Sequence, residues 1–266
     1  MARKTESRLV SNPVLKALAG HRSIRKYDSR PLPDDLLADL IRCGQRASTS
    51  SNLQATSVIH VTNVDTKEQL TRLSADQNQI RTSAAFLVFC ADLHRDWLAW
   101  QQHSGERFDG DYAEALLIAT VDAALFMQNV AVAAEAEGLG ICMIGAIRNH
   151  PREVGGLLGL PRYVYAVSGF CIGWPDDTPS EKPRLPLDAV FYKDRYPSDE
   201  ALLSEMEAYD QTMIDFYTTQ EMHSKDPRWT TVMSQRTGRF HQRPLEPFLR
   251  EQGFGWRDDV EEGTDP

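Results

Sequence analysis

The chain has 266 residues, of which 41% are hydrophobic, and carries a net charge of −9. That length is enough to bury a sizeable core in one large domain or two small ones. The acidic balance argues against a general nucleic-acid or anionic-membrane binder, because such proteins need surplus Lys and Arg to replace counterions. The four cysteines, Cys43, Cys90, Cys142 and Cys171, show no CxxC or Cys/His ligand spacing, which disfavours zinc.

In chain order, "MARKTESRLVSNPV" lacks the apolar core of a signal peptide. With most of the cysteines in apolar runs, the expected compartment is a reducing one, the cytoplasm. Asn12 followed by Pro13 predicts a capped helix over "PVLKALAG", stopped by Gly20. "PDDLLADLIRCGQRAS" spaces Leu36, Leu37, Leu40 and Ile41 as a helix, with acids first and bases last, as the helix dipole prefers. "STSSNLQATS" reads as a polar loop. "SVIHVTN" and "AAFLVFCAD" read as strands, rich in β-branched and aromatic residues. Residues 92–111 read as a polar excursion. A long helix follows from about Asp111 to Glu137, apolar on most faces and therefore expected to be surrounded by protein. Its polar interruptions make it a poor lone membrane span.

"ICMIG" and "YVYAVSGFCIGW" read as buried strands with the short helix "PREVGGLLGLP" between them. "PDDTPSEKPRLPLDAV" is a proline-punctuated loop. "SDEALLSEMEAYDQTMIDFYTTQ" is an amphipathic helix with Ser198 as its N-cap. Strands are few, there is no βαβ rhythm, and no GxGxxG follows a strand, so a Rossmann fold is disfavoured. The expected fold class is α+β, with a small, mostly antiparallel sheet surrounded by helices. The expected organisation is a single domain over 1–257, with a mobile excursion at about 221–243 and an acidic tail over 258–266.

Four clusters are candidates for chemistry. His21, Arg22, Ser23 and Arg25 form a basic knot in an acidic protein; arginine forks suit a phosphate, and Ser and His add short donors. The alternative is a solvated turn paired with Asp28 and Asp34. Thr49, Ser50 and Ser51, within "STSSNLQ", offer hydroxyls and backbone amides to a ligand, or form a plain polar loop. Met143, Ile144, Gly145 and Ala146 lie in "GLGICMIGAIRN", where glycines let a ligand approach the backbone. Lys182 and Arg184 flank Pro183 and would point one way if the loop is extended. Asp122, inside the long helix, reads as a polar cap rather than a catalytic acid.

Each cluster is weak alone, but their order is not. "HRSIRKY", "STSSNLQATSVIHVT", Gln77, "VDAALFMQNVAVAAEAEGLGICMIGAIRN" and "GFCIGWPDDTPSEKPRLP" together resemble the nitroreductase family, in the branch of the oxygen-insensitive NADPH nitroreductases and flavin reductases. The resemblance runs from about Pro13 to Pro186, and more loosely to "RPLEPFLREQGF".

It implies a nitroreductase-like fold and an intertwined homodimer with tightly bound FMN at the subunit interface. By position, His21, Arg22, Ser23 and Arg25 would hold the FMN phosphate and ribityl chain. Thr49, Ser50 and Ser51 would reach the flavin of the partner subunit, and Gln77 the ring edge. Met143, Ile144, Gly145 and Ala146 would pass their backbone beside the ring, while Lys182 and Arg184 would complete the anchor. Ser51, Arg228 and Arg243 would face the substrate or NADPH.

The implied activity takes hydride from NADPH, with NADH possible, to flavin N5. Electrons then pass to nitroaromatics, quinones or flavins in a ping-pong cycle with no catalytic side chain. Two alternatives stay open. One is a dedicated NAD(P)H:FMN reductase supplying a monooxygenase; the other is a non-enzymatic flavin-binding sensor. Small-molecule acceptors are expected, with neither nucleic acid nor membrane as partner.

Overall fold

The structure is a computed structural model that describes residues 12–104, 106–220, 226–237 and 244–255. The chain divides into two compact units, Met1–Pro179 with Arg243–Pro266, and Ser180–Gln242. The acidic 258–266 segment lies outside the described residues, as do the two ends of the 221–243 excursion.

The first unit is built on four strands: β1 (Thr56–His60), β2 (Ala85–Asp92), β3 (Gly140–Ile144) and β4 (Val164–Gly173). They lie in the order β1-β2-β4-β3, with every pairing antiparallel. β2 is buried along its whole length, and its alternation divides the core. Phe86, Val88 and Cys90 share one face with Cys142, Ile144 and Cys171. Leu87 and Phe89 share the other with Ile141, Phe170 and Ile172. The β2–β4 register shifts between Phe89 and Cys90, where Ser168 and Ala166 are successive partners. This bulge turns Ala166 and Val164 onto the same face as Cys171.

Helices cover both faces. On the Phe86 side lie α3 (Val64–Leu73) and α4 (Asn78–Thr82), through Leu70 and Ile80. They are joined there by α7 (Pro151–Leu158), through Val154. On the Phe89 side lie α2 (Asp34–Gly44), through Leu37 and Leu40, and α6 (Ala113–Ala136), through Met127, Val130, Ala131 and Ala134. A short α1 (Pro13–Ala19) is capped as expected: Asn12 Oδ1 accepts from Val14 N and Leu15 N. α5 (His94–His103) stands within the stretch read as a polar excursion. α10 (Leu245–Glu251) buries Phe248 and Leu249 against Tyr163, Tyr165 and Phe254.

α6 is only partly covered within the chain. Seven of its residues are buried, yet Leu117, Val121 and Leu125 are 58%, 53% and 42% exposed. Their i, i+4, i+8 spacing makes one open apolar stripe. By length and hydropathy α6 passes as a membrane span; in the structure it packs on α2, β2 and β3.

The second unit contains α8 (Asp199–Thr219) and α9 (Trp229–Thr237). Ser198 caps α8 through Ala201 N, as the sequence predicts. Asp210 on α8 accepts from Thr230 N at 2.9 Å and also from the Thr230 hydroxyl, which fixes the start of α9 against α8.

Candidate functional site

The basic knot lies along the open edge of the sheet. β3 is an edge strand, and residues 23–24 run beside its first half. Ser23 bridges Ile141 in parallel, and Ile24 N donates to Ile141 O at 2.9 Å. Gly140 permits this approach: a Cβ there would lie 2.7 Å from Ile24 Cβ. Tyr27 fixes the far side of the turn, with its hydroxyl donating to Ile24 O at 2.7 Å. Of the two acids expected to absorb the knot's charge, Asp28 engages Arg30. Arg25 is exposed, and its Nη1 donates to Ser23 O at 3.3 Å.

One more predicted residue, Gln77, connects to the knot here through two neighbours. Burial pushes the Cys142 thiol up, opposed by the charge of Arg25 and a hydrogen bond from Gln79. Gln79 Nε2 in turn donates to Gln77 Oε1 at 2.6 Å. Arg25, Cys142, Gln79 and Gln77 thus form a chain of neighbours around β3. Gln77 Nε2 donates to Ser74 O at 3.2 Å, so its side chain is already held. Just before it, Ala75 and Asp76 both have left-handed backbones, with φ of 61° and 53°. Such conformations are costly for non-glycine residues and cluster at functional sites.

Along β3 the side chains alternate. Ile144 is fully buried, Met143 is 38% exposed, and Ala146 packs against the core beyond the strand end. Residues 143–146 therefore send most of their side-chain bulk inward and present their backbone, with one flexible thioether, at the sheet edge.

The serine-rich loop forms a second patch. The buried Asp122 carboxylate suspends it from α6, accepting from Ser50 N and Ala55 N, each at 3.1 Å. This is the polar-cap role its sequence position suggests. Arg95 clamps the loop's end, donating to Gln54 O at 2.9 Å and Thr56 O at 2.8 Å. Between these anchors Ser51, Asn52 and Gln54 all take left-handed φ. Thr49, Gln54, Arg95 and Asp122 line a cavity of about 330 Å³. Within the chain this patch and the knot line separate cavities, the knot's Arg22 lying in one of about 480 Å³.

Lys182 and Arg184 belong to the second unit. Both line a cavity of about 250 Å³ with Tyr209, Tyr217, Trp229 and Arg236. Lys182 Nζ lies 5.3 Å from the centroid of the Tyr217 ring, and Tyr209 donates its hydroxyl to Pro183 O at 2.8 Å. Arg228 is engaged by Asp226, through a 2.6 Å ion pair. Arg243 lies outside the described residues. Sequence reasoning did not single out Arg95, Glu135 or the lining role of Arg236. Glu135 had a legible signal: it is an acid in the last turn of a helix.

The donor set of the knot fits a phosphate, since it supplies guanidinium, imidazole and hydroxyl groups in one short segment pinned to a strand. The strand's open edge, with one exposed thioether, fits a flat ring. Among the described residues no three His, Cys, Asp or Glu assemble as a metal site.

Fold and comparisons together define an oxidoreductase. Residues 18–174 match the Nitroreductase family and residues 182–257 match the Nitroreductase family, C-terminal domain, so the chain belongs to the nitroreductase family. It is 38% identical over 246 residues to a "CR(VI) reductase" of Pseudomonas sp. (strain G-1), covering 92% of this chain and 100% of the relative. It is 34% identical over 244 residues to the "FMN reductase [NAD(P)H]" of Bacillus subtilis (strain 168), covering 91% and 98%. Among solved structures, the hypothetical oxidoreductase YcnD from Bacillus subtilis superposes with a TM-score of 0.89 at 34% identity, covering 92% and 99%.

Proposed function

We propose that this protein is an FMN-dependent NAD(P)H oxidoreductase whose cofactor lies along the open edge of β3, with its phosphate in the basic knot. The observation that carries the reading is the pinning of residues 23–24 to β3, which brings Arg25 beside Cys142 and the Gln77–Gln79 pair. FMN held there would supply the redox chemistry, two-electron transfer between NAD(P)H and an acceptor.

The chain's own residues bind and orient. Arg22 and Arg25 supply charge-assisted donors to the phosphate, with His21 and Ser23 beside them. The backbone of residues 143–146 supplies donors and acceptors to the ring edge, where amide donors favour developing negative charge. The cationic cavity of Lys182 and Arg184 suits an anionic group. Small nitroaromatics, quinones and flavins are the acceptors, and the "CR(VI) reductase" relative adds chromate. Three free buried thiols favour a cytoplasmic location.

A second copy of the chain covers the apolar stripe of α6. The suspended loop 49–54 then serves the flavin of that neighbour, which accounts for its separation from the knot.

The test is anaerobic stopped-flow mixing of the FMN-loaded protein with NADPH and, separately, with NADH, followed at the flavin absorbance. Rapid bleaching is expected, followed by recovery on adding a nitroaromatic, quinone, flavin or chromate. An FMN-loaded protein that neither nucleotide bleaches would leave a flavin-binding sensor instead.

A further inference from the structure

We propose that Glu135 is a positioning residue for the flavin phosphate, acting through His21. The proposal rests on the reading of residues 21–25 as the phosphate anchor.

His21 Nδ1 lies 2.6 Å from Glu135 Oε1, and the Glu135 side chain is only 13% exposed. The two residues come from distant parts of the chain, the segment after α1 and the last turn of α6. That turn is a poor place for an acid, because the carbonyl end of a helix repels negative charge, and α6 has no base in its last turn to offset it. Local helix energetics thus do not account for Glu135, whereas its contact with His21 does.

The contact has a chemical consequence. An imidazole has two ring nitrogens, and a partner on one decides what the other is left to do. With Nδ1 committed to Glu135, the ring is fixed in plane and Nε2 is the single nitrogen left for a ligand. Glu135 also lines the same cavity as Arg22, the next residue of the knot. Lys16 on α1 and Asp177 in the loop after β4 are the other charged residues along that cavity. Glu135 therefore sets the direction of one phosphate donor by acting through His21.

The test compares FMN with riboflavin, which lacks the phosphate, by titrating the deflavinated full-length protein and following flavin fluorescence. In Glu135→Ala, FMN affinity falls by about tenfold or more, the scale of one charge-assisted hydrogen bond, while riboflavin affinity does not move. His21→Ala gives the same pattern. The double variant is little worse than either single one, because both remove the same interaction. Glu135→Leu, which keeps a similar volume and has no acceptor for His21, serves as the second variant with the same expected pattern if Glu135→Ala does not fold.

Unchanged FMN affinity would overturn the proposal. So would an equal loss of FMN and riboflavin, which would mark a packing role, or additive losses in the double variant. If the unmutated protein binds FMN no more tightly than riboflavin, the anchor itself is misplaced, and that outcome is read before any variant is made.

Discussion

Arg25 is the most exposed cation of the knot, held by a single long hydrogen bond to Ser23 O. It costs the fold little to remove and leaves the proposed phosphate short of one donor. Arg25→Ala is expected to weaken FMN binding by about 1.5–3 kcal/mol, the range for hydrogen bonds to charged groups. Thermal unfolding of the flavin-free protein should be nearly unchanged. Equal FMN affinity in fluorescence titration would show that the anchor lies elsewhere. At this scale the sequence was informative about residue types and silent about partners. The arginines, His21 and Ser23 are residue types suited to an anion, which is what the sequence alone proposes. Nothing in the order of residues says that His21 meets Glu135, or that Asp122 reaches the amides of Ser50 and Ala55. Those contacts join segments far apart in the chain, and only the packing of α6 beneath the loop and behind the knot creates them.

Among the elements, the legible ones are those with strong patterns. β2 and β4 are buried on both faces and read as apolar runs; α8 announces itself by its cap and amphipathic spacing. α3 and α5 were missed for a physical reason. α3 is largely polar and buries only Leu70 and Thr71, and α5 buries none of its residues, so neither shows a full apolar face. The Asn63 cap of α3, accepting from Thr66 N, was the one local signal available. The joint between the knot and β3 is the element-level feature most open to test. Gly140→Ala sets a methyl group into Ile24, whose own Cβ cannot swing aside as a side-chain tip could. Overpacking of this kind costs about 1–3 kcal/mol, and FMN retention should fall with stability. A variant that binds FMN normally would show that the segment has room to shift.

The α3–α4 pair makes a separate prediction about acid. Hydrogen bonds from Arg81, then Arg72, pull the Glu68 carboxyl from its ordinary 4.5 to about 2. A depressed carboxyl contributes stability above its unfolded value and loses it as pH falls toward the folded one. The melting-temperature gap between the wild type and Glu68→Gln should therefore be full at neutral pH and close between about 4.5 and 2. A gap that persists at the acid end would argue against this linkage.

At the scale of the whole molecule, net charge and composition excluded broad classes but could not locate a surface. The apolar character of α6 predicts a helix surrounded by protein, without saying whose. Leu117, Val121 and Leu125 leave an open stripe, and apolar periodicity alone does not say which chain is to cover it. Val121→Glu is expected to halve the mass in sedimentation equilibrium, since a desolvated carboxylate at the centre of such a stripe has no partner. A wild-type protein that sediments at the mass of one chain would remove the paired arrangement altogether.

The bridge between Ser23 and Ile141 also bears on the order of assembly. It joins segments separated by most of the first unit, so the entropy of closing that long loop must be overcome before the contact exists. β3 must first find β4, and β4 must find β2, before there is an edge for the N-terminal segment to dock on. The segment proposed to hold the phosphate is therefore among the last features to form. Flavin capture then acts as a proofreader, rewarding chains that have finished folding and ignoring collapsed ones. Quenching of free FMN during refolding should lag behind the recovery of far-ultraviolet circular dichroism; simultaneous recovery would contradict this order.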